Sequence, residues 1–133
     1  MSSSDVIAVI NTSPDTVDLL TDALERAGFL VVSSYTHDIR DGKVDLQAFL
    51  RVHQPKVIVY DVAPPYERSW EFLTHLRRTV FAGCRFVITS PNAERVARLI
   101  GKDERVYEVV GHDDDLAEVV RATREAAKAR PTS

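Results

Sequence analysis

The chain is poor in the residues that carry several kinds of chemistry. It has one cysteine, Cys84, among 133 residues. That excludes an internal disulfide and suits a reducing compartment. Cys84 opens an apolar run and reads as a small core residue. No apolar run approaches the ~20 residues of a membrane helix. The opening MSSSD has neither the basic nor the apolar region of a secretion signal. There is no G-x-G-x-x-G and no Walker loop, so a nucleotide enzyme has little support. The histidines, His37, His53, His75 and His112, are scattered without metal-ligand spacing. Lys and Arg form no patch, and the net charge is −3, so nucleic acid is not an expected partner. These absences leave an expectation of a cytoplasmic, non-membrane, single domain over 1–133, with a core of about 5–128 and frayed ends.

What is present is a set of short apolar runs alternating with amphipathic segments. The central run is PKVIVYDVAPP, Pro55 to Pro65. Val57 to Tyr60 is unbroken and rich in β-branched residues, the pattern of a strand covered on both faces of a parallel sheet. It ends on Asp61, and two prolines follow closely. Ligand chemistry on such sheets gathers at the carboxyl ends of the strands.

Similar runs occur at Val6–Ile10, from Leu30, at Arg85–Thr89 and at Val106–Val110. Between them the periodicity predicts five helices. Ser13 caps the first, with Pro14 at its first position and Gly28 after its end. Thr36 to Val44 reads as a long connection with an Asp41-Gly42 turn. Asp45 caps the second helix, which carries Leu46, Phe49 and Leu50 on one side. Ser69 starts the third, with Trp70, Leu73 and Leu76 apolar, and Pro91-Asn92 opens the fourth. Asp113 to Asp115 precede the last, at the positive end of its dipole. Five strands alternating with five helices predict an α/β fold, a doubly wound five-stranded parallel sheet in the order 2-1-3-4-5, three-layered and flavodoxin-like.

Over nearly its whole length the chain resembles the receiver domains of two-component response regulators, the CheY-like family. The residues that carry the likeness are Asp61 with Pro65 four positions on, Thr89 followed by the small Ser90, Pro14-Asp15 after the first strand, and Gly28-Phe29 before the second. The resemblance implies that Asp61 is the phosphoacceptor position and Thr89 the switch residue. It also implies an acidic pair after the first strand to hold Mg²⁺, and a lysine ending the fifth. Here the pair is replaced by the neutral Asn11 and Thr12. No lysine lies between Lys102 and Lys128, so the lysine position falls on Val110, Gly111 or His112, with His112 the candidate cation. Mg²⁺ requires hard, charged oxygen ligands. Its binding is therefore expected to be weak or absent, and no other cofactor or metal is expected.

Phosphoryl transfer depends on positioning and charge stabilisation. Without metal or lysine the resemblance implies a divergent receiver, a pseudo-receiver and not an enzyme. It would act in a phosphorelay by protein–protein contact with a histidine kinase or a downstream target. No output domain accompanies it in this sequence, so output is expected through partners. A homodimer through the face of the fourth helix, fifth strand and fifth helix is possible, given Glu94, Arg95 and Arg98 on one helix and Glu118, Arg121 and Glu125 on the other. The bland reading of those charges is solubility. For Asp61 the bland reading is a solvated strand-end acid; for Thr89 it is a strand-closing residue without a role. Tyr66, Trp70 and Pro64-Pro65 offer a docking surface, although Trp70 suits core packing better. The alternative function is a small α/β ligand-binding or enzyme domain using a strand-tip pocket around Asn11, Asp61 and Thr89.

Overall fold

The structure, a computed structural model, describes residues 5–77, 84–102, 106–111 and 116–128. Five strands form one sheet: β1 (Val6–Asn11), β2 (Leu30–Tyr35), β3 (Val57–Asp61), β4 (Arg85–Ser90) and β5 (Val106–Gly111). All pairings are parallel, in the order β2-β1-β3-β4-β5, which is the expected topology. The order places β3 at the centre, and Asp61 is its last residue.

The helices are α1 (Pro14–Arg26), α2 (Thr36–Arg40), α3 (Leu46–His53), α4 (Tyr66–Arg77), α5 (Ala93–Ile100) and α6 (Leu116–Lys128). The two expected caps form, and Asn92 caps α5 as well. Ser13 Oγ accepts from Thr16 N at 3.3 Å, Asp45 Oδ1 from Ala48 N at 3.2 Å, and Asn92 Oδ1 from Arg95 N at 3.1 Å. After α1 the chain reverses through Gly28, whose φ of +99° strains any residue with a Cβ.

Two expectations need correction. Thr36–Arg40 is a short helix and not part of an irregular connection, so the described residues hold six helices. Its sequence, THDIR, has one large apolar residue, too little for a 3.6-residue period to show. The third expected helix begins at Tyr66 rather than Ser69. Tyr66-Glu67-Arg68 contributes a polar first turn, which periodicity does not detect. The acidic run Asp113–Asp115 and His112 lie outside the described residues, as do the side chains of Leu76 and Arg77.

Alternation along the strands divides the core into two layers. Ile7, Val9, Val57, Val59 and Val87 face α1 and α6, packing on Val17, Leu20, Leu24, Val119, Ala122 and Ala126. Ala8, Ile10, Ile58, Tyr60, Phe86 and Ile88 form the opposite layer with Leu46, Leu50, Leu73 and Val96. Cys84 is buried in that layer, and Trp70 and Tyr66 pack partly buried against it. Burial on both faces explains why the strands read as continuous apolar runs. At β4–β5 the register shifts between Phe86 and Val87, leaving Tyr107 out of the pairing and exposed.

Candidate functional site

Parallel register sets Asp61 directly opposite Thr89 at the carboxyl edge of the sheet. Thr89 is buried, and its hydroxyl donates to Asp61 Oδ1 at 2.7 Å. The same edge is tied through the backbone, with Val62 N donating to the Thr89 carbonyl at 2.8 Å. Asp61 has another partner besides Thr89 and is half-buried. The two residues expected to form the core of the site are therefore in direct contact.

The two neutral residues after β1 part company. Asn11 is buried and its Oδ1 accepts from Ser13 N at 3.0 Å, so its carboxamide oxygen is used to shape the turn into α1. Thr12 is exposed and lines a cavity that also reaches Asp61. Asp15 is exposed in the first turn of α1.

That cavity, about 380 Å³, lies between the strand tips, α2 and the start of α4. Thr12, Thr36, Arg40, Tyr60, Asp61 and Arg68 supply its polar wall. Ala63, Pro64, Pro65 and Phe72 supply an apolar one. The Pro64–Pro65 peptide bond is cis. Ser69 Oγ donates to the Ala63 carbonyl at 2.7 Å, pinning the loop to the first turn of α4. Burial pushes the Tyr60 phenol well above its usual range, a shift that nearby Arg40 partly offsets and Asp61 reinforces. Tyr60 therefore stays protonated and neutral. Neither Asn11 nor Thr89 lines the cavity. Sequence reasoning missed Thr36, Arg40, Arg68 and Phe72 as parts of this wall. The available signal was the spacing of Arg68 and Phe72, four apart on one helix face just after the Asp61 loop.

This donor set does not suit Mg²⁺. The metal favours charged oxygens in near-octahedral array. Here Asn11 Oδ1 is engaged by the turn, Thr12 is neutral, and two guanidinium groups share the cavity with Asp61. Among the described residues no group of three His, Cys, Asp or Glu side chains is placed to hold a metal ion. His112 lies outside the described residues; Val110 is buried and Gly111 ends β5.

The expected docking face is ordered by its own ion pairs. Arg95 on α5 bonds Glu67 on α4 at 2.7 Å and lies over the Tyr66 ring, 5.2 Å from its centre. The bond from Arg95 holds the Glu67 carboxyl below its usual range. Arg98 pairs with Glu94 along α5. On α6, Arg121 bridges Glu118, Glu125 and, across to β5, Glu108. These three carboxylates raise the Arg121 pKa, with Glu108 foremost. The Tyr107 hydroxyl donates to Glu125, and that bond raises the phenol's pKa.

Comparison with protein-family models and with curated protein sequences finds no match. Comparison with solved structures finds many. A response regulator from Thermotoga maritima matches with a TM-score of 0.68 at 16% identity, covering 96% of this chain and 100% of that one. A response regulator from Burkholderia pseudomallei, solved with a phosphorylated aspartic acid, calcium ion and citrate, matches at 0.70 and 14% identity, covering 93% and 69%. A CheY-like receiver domain from Methylobacillus flagellatus matches at 0.66 and 15% identity, covering 93% and 99%. No helix among the described residues is long and apolar enough to cross a membrane. Identities this low carry the fold alone, and on that ground the chain has the fold of a CheY-like response-regulator receiver domain.

Proposed function

We propose that the protein is a receiver-like signalling domain of a two-component pathway that acts in the cytoplasm as a pseudo-receiver, through contact with other proteins. The observation that carries this reading is the Thr89 hydroxyl already bonded to the Asp61 side chain. A switch residue is useful when its position differs between two states, and a modification shifts the balance only by interacting differently with each. Here the hydroxyl is already engaged, and the residues around Asp61 offer a poor site for the metal that would assist phosphoryl transfer. Catalysis of that transfer rests on positioning and charge compensation. The domain therefore presents one resting surface, recognised constitutively or controlled by a second protein. Histidine kinases and downstream targets are the partner class.

The α5–β5–α6 face is the candidate contact surface, with Glu94, Arg95, Arg98 and Glu125 exposed on it. The experiment is complementation in cells that carry the altered gene. Asp61→Ala is expected to be nearly silent. Double charge reversal at Arg95 and Arg98 is expected to impair function. Because Arg95 also bonds Glu67, the reversal is repeated with Glu67→Arg, which restores an α4–α5 ion pair. Function that stays impaired then reports lost partner contact. Loss of function in a folded Asp61→Ala protein refutes the pseudo-receiver reading.

A further inference from the structure

The cavity beside Asp61 has the charge of an anion site. Its described wall holds two arginines, Arg40 from α2 and Arg68 from α4, against one carboxylate, Asp61. Neither arginine is in an ion pair among the described residues; Arg40 lies over the Phe72 ring, 5.3 Å from its centre. A guanidinium is a planar fork of donors matched to carboxylate and phosphate oxygens.

The rest of the wall is mixed in character. Thr36, also on the wall, is 4% exposed. Thr12 and the neutral Tyr60 phenol add further hydrogen-bonding groups, while Ala63, Pro64, Pro65 and Phe72 add an apolar side. A volume of about 380 Å³ suits a small organic molecule.

We propose that this cavity binds a small organic oxyanion, a carboxylate or phosphate monoester. The charged head sits between Arg40 and Arg68, and the carbon part rests against Phe72 and the proline pair. The proposal stands on the cavity and not on the signalling reading, because it needs neither phosphorylation of Asp61 nor a protein partner.

The test is backbone-amide NMR of the full chain, titrated at constant ionic strength with phenyl phosphate, benzoate and inorganic phosphate in separate arms. Saturable shifts that centre on Thr12, Thr36, Arg68 and Phe72 are expected with at least one of the two organic anions. The preferred arm distinguishes a phosphate head from a carboxylate one. Inorganic phosphate, with no carbon part, is expected to bind more weakly. Arg40→Ala and Arg68→Ala should each weaken binding about tenfold or more, the loss of a charge-assisted contact. Arg68→Lys keeps the charge and is expected to retain part of the affinity, which separates lost charge from lost fold. No saturable shift with either organic anion overturns the proposal. So does binding to a folded Arg40→Ala/Arg68→Ala protein with wild-type affinity. Either result leaves the complementation experiment untouched.

Discussion

The contact between Asp61 and Thr89 can be weighed by a double-mutant cycle at neutral pH. The 2.7 Å separation is short, as for a hydroxyl donating to a carboxylate. A hydrogen bond to a charged group contributes about 1.5–3 kcal/mol net. Two features reduce that here: Asp61 is only half-buried, so water screens its charge, and it has another partner besides Thr89. A coupling energy of about 1–2 kcal/mol is the resulting expectation. Thr89→Val preserves bulk and removes the donor, whereas Asp61→Ala leaves the buried hydroxyl without its acceptor. Each single variant should be less stable, and the double variant should lose clearly less than their sum. Urea unfolding followed by circular dichroism measures all four proteins. At a slope of about 1–3 kcal/mol/M the Thr89→Val midpoint should fall by roughly 0.5–1 M with the slope unchanged. Thr89→Ser, which keeps the hydroxyl, should recover most of the shift. A coupling energy within about 0.3 kcal/mol of zero, at constant slope, refutes the contact as an energetic link.

Mg²⁺ titrated into the protein should produce no saturable change in Trp70 fluorescence or in the amide shifts around Asp61; saturation at low millimolar metal that Asp61→Asn abolishes would refute this. Leu24→Ala removes a fully buried side chain from the α1 layer and should cost about 2–5 kcal/mol in chemical denaturation. Gly28→Ala meets no atom within 4 Å, so its expected loss of about 1–2 kcal/mol is backbone strain alone; an unchanged midpoint contradicts the assigned φ.

The fold was legible because its strands are buried on both faces. Val57 to Tyr60 is nearly solvent-free, and only a two-sided cover makes such a run. The helix starts at Ser13, Asp45 and Asn92 were legible because capping is a contact over three residues. The cavity was not, because its wall is drawn from four separate stretches. Arg40 belongs to a helix too short to show a period, and Arg68 precedes the first residue that looked helical. Charges at such positions read as solvated. The local use of Asn11 was equally hidden: its type marks the loss of an acid, but only the turn geometry shows its carboxamide oxygen accepting from Ser13 N. The bulge at Tyr107 left no mark on a strand that already looked continuous.

Asp61 and Thr89 are separated by 28 residues, yet their contact follows from the sheet itself. Parallel neighbours in register carry their side chains on the same face, and β3 and β4 are held in register from Val57–Arg85 through Asp61–Thr89. The strand ends thus present a carboxylate and a hydroxyl to one another before any group is added. Moving Thr89 away would break the bond at 2.7 Å and leave a buried hydroxyl to be satisfied elsewhere. The structure holds Thr89 in the inward position. On the α2–α4 side of Asp61, Arg40 and Arg68 line the cavity and make no ion pair among the described residues, which leaves their charge to a ligand.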